Sequence, residues 1–502
     1  MVHVSIHFST AAVVWLYCLP VSAFHLQHSS VHQAEYPCAS RRSNGSSGGV
    51  FSRRNCEEDT RQERHSSRNA YHYPIDAAAA ARSISTSSSR LSAATGTSFS
   101  DNGSGPAGGS YDRHSQIIII GGSGRVGGST VRALRQLAGP DLQLAVGGRS
   151  ERNFVKSVER WRTLPGAADG YDYSDVSFIE LDLADPSSLS NALAGCDLVV
   201  HTAGPFQRKA RAEVLEAAIE AKVPYVDVCD DARLATVAKA LSGKAQEAGV
   251  AATISAGIWP GIDQLMAVEA CEMLGGAKEV ESIDFSAYTA GTGNAGTTIL
   301  SATFLILCEK VLGFKDGKEI FHEPASGFKS VDFGESIGEK TVFRMNLIES
   351  FTCSQVLGIP NISTYFGTSP EPWNYLLKGM TLLPDSIMGN RDLMQALAEF
   401  SEPLVRLTDK LVGATNAMRM EAVAKDGRKV VLKYAHEDLE VCVGIATAAF
   451  AVATLRGDVR PGIWFPEEAF DDDVKRSRLF DDATRGAFMW EREEQGAEGL
   501  PL

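Results

Sequence analysis

Residues 116–149 read QIIIIGGSGRVGGSTVRALRQLAGPDLQLAVGGR, and the fold is decided in this stretch. The run Ile117, Ile118, Ile119, Ile120 is β-branched and apolar throughout, which suits a parallel strand buried on both faces. It leads directly into Gly122-Ser123-Gly124-Arg125-Val126-Gly127. Val126, Val131, Leu134 and Leu137 then recur at roughly helical spacing, and residues 142–146 give a second short apolar strand. Strand, glycine turn, helix and strand together make the unit of about thirty residues that a dinucleotide site needs. Gly122 is expected to permit the tight turn, Gly124 to let the backbone approach a pyrophosphate, and Gly127 to bring the helix close to the sheet. The helix N-terminus adds free N–H groups and a positive dipole end. A purely structural strand–helix turn is the plainer alternative.

An NAD site usually carries an acidic residue about twenty positions on, to accept from the ribose 2′-hydroxyl. That position falls near Gly147, where no Asp or Glu stands; Arg149 and Ser150 offer a guanidinium and a hydroxyl, which suit a 2′-phosphate. The expected cofactor is therefore NADP(H), unless Arg149 is merely a solvated loop charge.

The 502 residues suffice for two domains, and a net charge of −14 argues against nucleic acid, whose backbone demands a basic face. Cys196, Cys229, Cys271, Cys308, Cys353 and Cys442 are far apart, with no CxxC pair and no zinc-ligand spacing. They read as buried thiols, and no metal site is expected.

The first hundred residues are different material. Residues 11–21 form an apolar run too short to span a bilayer, followed by Val21-Ser22-Ala23, a small-residue cleavage site, so 1–23 reads as a signal peptide. Residues 24–114 are rich in Ser, Arg and Gly, lack sustained apolar periodicity, and are expected to be disordered. With Phe24 in VSAFHL, the two segments resemble the bipartite presequences of algae with secondary plastids. Glu57, Glu58 and Asp59 depart from the acid-poor composition of such leaders. A plastid destination is expected, with secretion as the alternative. Scattered cysteines favour the reducing compartment.

Beyond the second strand, 152–164 reads as a helix and 176–181 as a third strand leading to Asp182, a residue placed near the adenine in such folds or simply a turn cap. Residues 198–200 form a fourth strand delivering His201-Thr202-Ala203-Gly204-Pro205-Phe206. Ligands in open parallel sheets sit outside the carboxyl ends of strands, so Ala203, Gly204, Pro205 and Phe206 should border the nicotinamide. Residues 225–228 form a fifth strand ending at Cys229-Asp230-Asp231, and 251–255 a sixth. His201 and Asp230 are the candidate proton donors; Asp227, inside its strand, reads equally as a group hydrogen-bonded within the core, and Cys229 reads as a packed thiol.

GGSGRVGGST, DLVVHTAGPF, VPYVDVCDD and SAGIWPGID, in this order, resemble the saccharopine dehydrogenase-like family, in particular the plastid and cyanobacterial proteins that carry its NADP-binding domain. The resemblance covers about residues 115–470. It implies an α/β protein: an N-terminal NAD(P)-binding Rossmann domain (115–260), a second mixed α/β domain (261–435), and a C-terminal helix segment (436–470) packing back on the first. It does not imply a substrate, because one fold carries several chemistries. Residues 471–502 read as a loose acidic tail.

In the second half, a strand at 282–287 precedes a glycine-rich turn and an apolar helix spanning 299–312. Gly291, Thr292, Gly293, Asn294 and Thr297 are the candidate substrate residues, offering N–H donors to a carboxylate, phosphate or carbonyl oxygen; a connection with Thr297 as N-cap is the alternative. Strands are expected at 340–347 and 356–364, helices at 373–380 and 391–412 with a break at Pro403, and a hairpin across Asp426-Gly427. Residues 440–455 form a helix apolar on every side, too short to span a membrane and best buried between domains. The sequence thus points to an NADP(H)-dependent oxidoreductase acting on a small carbonyl, imine or enoyl compound, with a homodimer through the second domain fitting such a fold. The competing reading is a non-catalytic NADP(H) sensor or a protein attached peripherally to a membrane or lipid surface.

Overall fold

The isoleucine run forms β1 (Gln116–Ile120), in which Ile117, Ile118 and Ile119 have no exposed surface. In the computed structural model, residues 115–163, 171, 173–293 and 295–497 are described; the expected signal peptide and leader, and Asn294, lie outside them. Strand and helix then alternate: α1 (Arg125–Ala138), β2 (Gln143–Gly148), α2 (Glu151–Thr163), β3 (Ser177–Glu180), α3 (Pro186–Leu193), β4 (Leu198–His201) and α4 (Glu213–Ala221). Next come β5 (Tyr225–Asp227), α5 (Ala232–Lys239), α6 (Ser242–Ala248) and β6 (Ala251–Thr253). The sheet order β6-β5-β4-β1-β2-β3, all parallel, is that of a doubly wound nucleotide-binding fold, with the chain reversing direction between β1 and β4. Asp185 caps α3 by accepting from the Ser187 N–H at 2.9 Å, which is why that helix starts where it does.

The chain then enters a second, nine-stranded sheet. After α7 (Ile262–Met273) come β7 (Val280–Ala290), α8 (Thr297–Ile306), β8 (Val311–Lys315), β9 (Lys318–His322), β10 (Ser326–Asp332) and β11 (Glu339–Arg344). They are followed by α9 (Glu349–Leu357), β12 (Asn361–Ser369), α10 (Pro372–Met380), α11 (Asp385–Met388) and α12 (Arg391–Val412), and then by the hairpin β13 (Thr415–Ala424) and β14 (Lys429–His436). Its main path runs β10-β11-β12-β7-β13-β14, mixed because β12 lies parallel to β7. The protein is therefore α/β with two sheets, the parallel one first.

The last part of the chain ties both sheets together. α13 (Leu439–Leu455), capped by Asp438, is buried along nearly its whole length against α1. The contact is close because residue 444 is glycine: a Cβ there would lie 2.5 Å from Ser129 backbone and side-chain atoms. β15 (Gly462–Trp464) adds a seventh parallel strand beside β6. α14 (Pro466–Ala469), α15 (Asp473–Ala483) and β16 (Met489–Gln495) complete the described chain.

Several sequence expectations give way. The tail is not loose as far as residue 497: β16 pairs antiparallel with β14, and the buried Arg476 of α15 reaches Glu269 (3.1 Å) and Glu272 on α7. Acidic composition concealed this because Glu491, Glu493 and Glu494 lie on an outer strand that Lys433 and Arg428 neutralise. The apolar helix ends at Ile306 instead of reaching residue 312, because Asp316 and Gly317, with φ of 52° and 72°, make a tight hairpin turn that draws Val311–Lys315 into a strand. Residues 356–364 are no single strand, since Gly358 at φ 68° ends α9 before β12 starts. Pro403 does not break α12, whose buried Met394, Ala398 and Val405 hold both of its halves on one face.

Candidate functional site

Two helices begin at one cleft. Gly124, the N-cap of α1, and Gly296, the N-cap of α8, have no side chain to offer, so neither helix has a side-chain cap on its first-turn N–H groups. Both positive ends border a single cleft of about 500 Å³, within the usual range for small-molecule sites. The loop after β4 supplies Thr202, Ala203, Gly204, Pro205 and Phe206 to its wall, and Asp230 after β5 supplies a carboxyl group.

The glycine turn is built as a close approach. The left-handed residue is Gly121 (φ 83°), not Gly122, which corrects the role expected for Gly122. Gly122 is required for space instead: a Cβ there would meet Val146 Cγ2 at 2.8 Å. At Gly127 a Cβ would lie 2.5 Å from the Gly121 carbonyl oxygen, so only glycine lets α1 start this near β1. Gly124, Arg125, Val126 and Gly127 line the cleft, whereas Gly122 and Ser123 lie behind it. Ser123 Oγ is buried without a hydrogen-bond partner.

Arg160, on α2, lines the same rim and donates to the Gly124 carbonyl at 3.0 Å. Burial and the neighbouring Arg125 charge hold its guanidinium below the ordinary value. Arg125 itself pairs with Glu440 at 3.5 Å. Two guanidinium groups repelling one another beside an uncapped helix start form a place where an anion relieves strain in the charge arrangement. The turn and both arginines fit a dinucleotide pyrophosphate. Arg160 was not foreseen, because nothing in a helix of mixed charge shows which arginine turns back to the glycine turn.

Arg149 is exposed one residue past β2. Ser150 Oγ accepts from the Asn153 N–H at 3.3 Å, within the start of α2. Asp182 is exposed and accepts from the Ala184 N–H at 3.0 Å, folding into its own turn. None of these three borders the cleft.

The two candidate proton donors part company. His201 is buried at the end of β4; its Nδ1 lies 3.0 Å from the Tyr225 hydroxyl, which donates to Asp227 Oδ2 at 2.9 Å. Burial and the Lys209 charge lower its pKa to about 3, so the ring is neutral and lacks the acidic proton of an imidazolium. It does not line the cleft. Asp227 is bonded inside the core, accepting from the Cys229 and Ser255 N–H groups. Asp230 does line the cleft, half-buried, and loss of solvent together with the adjacent Asp231 charge pushes its pKa up to about 7. A carboxylic acid that keeps its proton near neutral pH is suited to give it away.

Among the described residues of the expected substrate set, only Thr297 borders the cleft. Gly291, Thr292 and Gly293 are joints of the fold. Thr292 donates through N and Oγ1 to Asp409, both at 2.9 Å, and the Gly293 carbonyl accepts from the Leu439 N–H. A Cβ at Gly291 would collide with Asp409 Oδ1 at 2.2 Å, so packing explains that glycine. Asn294 lies outside the described residues.

The sequence reading missed Glu440, 6% exposed on the first turn of α13, whose carboxyl burial pushes up to about 7 against the opposing pull of Arg125. It also missed the apolar wall of Trp259, Ile299, Ile306, Met345, Leu347 and Phe366, drawn from four separate segments. Trp259 was visible within SAGIWPGID; the others carry no local signal. Among the described residues, no group of three or more His, Cys, Asp or Glu could hold a metal ion.

Residues 117–253 match the family model of the saccharopine dehydrogenase NADP binding domain. Among solved structures, the apo saccharopine dehydrogenase (L-Glu forming) of Saccharomyces cerevisiae aligns over 76% of this chain and 99% of that one, with 16% identity and a TM-score of 0.52. GenD2 from gentamicin A biosynthesis, in complex with NAD, aligns over 79% of this chain and 100% of that one at 14% identity, with a TM-score of only 0.33. A comparison with curated proteins finds no match. The chain is thus similar to the saccharopine dehydrogenase-like family in its nucleotide-binding half by sequence, and in its α/β fold by structure.

Proposed function

We propose that this chain is an NADP(H)-dependent oxidoreductase, moving a hydride to or from a small carbonyl, imine or enoyl substrate. The observation that carries it is the meeting, in one cleft, of the uncapped starts of α1 and α8 with the carboxyl of Asp230. A nicotinamide dinucleotide supplies the hydride when bound. The first turn of α1, with Arg125 and Arg160, binds its pyrophosphate, and Arg149 past β2 selects the 2′-phosphate. The first turn of α8 donates to the substrate oxygen, and Asp230 releases one proton to that oxygen as the reacting carbon accepts the hydride's electron pair. Asp230 then regains its proton from solvent. The match to an NADP binding domain over residues 117–253 supports this reading.

The test is a binding titration of the full-length chain with NADPH and NADH, repeated for Arg149→Ala. A preference for NADPH that the variant loses supports the assignment; failure of both nucleotides to bind overturns it. A second reading, attachment to a lipid surface, is favoured by Phe400, Leu404, Leu407 and Leu411 of α12, spaced as one helical stripe and each more than half exposed. Among the described residues no helix is long and apolar enough to cross a membrane. Co-flotation with anionic vesicles, lost on Leu404→Glu, tests it. We also propose a plastid destination directed by residues 1–114, tested by fusing them to a fluorescent reporter, and a homodimer through the second sheet, tested by light scattering.

A further inference from the structure

The cleft is chemically two-sided. Its only cations among the described lining residues are Arg125 and Arg160, and both sit at the glycine turn, one paired with Glu440 and the other bonded to the Gly124 carbonyl. The rest of the wall is largely apolar: Trp259, Ile299, Ile306, Met345, Leu347 and Phe366. Trp259 is fixed there, its Nε1 donating to Asn416 Oδ1 at 2.8 Å and its ring tilted against Phe366 with centroids 5.9 Å apart. The remaining charged groups on the wall are carboxyls, those of Asp230, Glu349, Glu402 and Glu440.

An amino-acid or dicarboxylate substrate needs a cation or several donors facing each of its carboxylates, since burying an unpaired charge is costly. The apolar wall offers no guanidinium or ammonium, and Arg125, which lies beside the start of α8 (its Cδ 3.1 Å from where a Cβ on Gly296 would be), is already paired with Glu440. The uncapped first turn of α8 can serve one oxygen. From this arrangement we infer that the substrate is an uncharged carbonyl compound carrying an apolar chain, its oxygen at the start of α8 and its chain against the Trp259–Phe366 wall. The inference rests on the oxidoreductase reading and adds the substrate class to it. It also separates this cleft from one built for the amino acids suggested by its fold relative's name.

The test measures binding of butanamide, octanamide and the anionic half-amide succinamate to the full-length chain, with and without NADPH, and NADPH oxidation with the corresponding aldehydes. Octanamide is expected to bind roughly a hundredfold more tightly than butanamide, from about 0.8 kcal/mol per buried methylene and about 1.4 kcal/mol per decade. Succinamate should bind more weakly than butanamide. Ile299→Asp, at a half-buried wall position, should abolish the gain with chain length, with NADPH affinity as the folding control. Equal affinity along the series, preference for succinamate, or no amide binding to a chain that binds NADPH would overturn the inference. A chain-length trend in a protein that does not bind NADPH would instead overturn the oxidoreductase reading and leave the apolar pocket standing.

Discussion

At the scale of single residues, the site turns on which titratable group keeps a usable proton. Asp230 faces the cleft with its pKa pushed up to about 7, while His201, with a pKa lowered to about 3, is locked into a buried chain with Tyr225 and Asp227. The sequence could not rank them, since both follow strands of the same sheet and only burial separates them. Reduction by this protein should therefore fall as pH rises through about 7, where Asp230 loses its proton. Asp230→Asn should lower kcat by roughly a hundredfold or more and leave a flat pH profile between about 6 and about 8. His201→Gln should retain most of the activity. Steady-state rates across pH for the three proteins decide this, and a flat wild-type profile would remove Asp230 from the role.

At the scale of elements, glycines mark where segments must touch, and the sequence shows some of these marks better than others. Gly124 and Gly127 announced the start of α1 because strand, turn and helix are contiguous, and their roles follow from local geometry. Gly444 gave no such signal, because its partner Ser129 lies more than three hundred positions away in the chain. A Cβ at residue 444 would come within 2.5 Å of Ser129, so α13 could no longer lie in its present groove on α1. Gly444→Val should cost about 1–3 kcal/mol of stability as an overpacked contact. Because α1 also presents the glycine turn, NADPH affinity should weaken with it. Thermal melts with and without NADPH measure both effects, and an unchanged melting temperature would show that the two helices separate easily. The boundaries of β8, α9 and β12 were illegible for a related reason: apolar composition is similar in strand and helix, and the deciding residues, Gly317 and Gly358, act only through their φ values.

At the scale of the whole molecule, the chain returns twice to what it built earlier, and each return buries charge. β15 joins the first sheet, and Glu467, just beyond it, lies 2% exposed with its pKa pushed up to about 7 by burial. The family resemblance implied the first return; the second, through α15 and β16, stayed hidden within an acidic sequence whose partners lie on other strands. Glu467 makes the first return measurable. Its pKa is raised on folding from an ordinary 4.5, so the carboxyl stabilises the fold below that value, and the contribution is lost as pH rises through about 7. Glu467→Gln keeps the shape and removes the titration. Relative to wild type, the variant should gain stability as pH increases from about 5 to about 8 and then level off. Urea unfolding of both proteins across that range reads the difference directly. A constant difference would mean that Glu467 ionises as readily in the folded chain as in the unfolded one, and that water reaches the joint where the C-terminal segment closes on the first sheet.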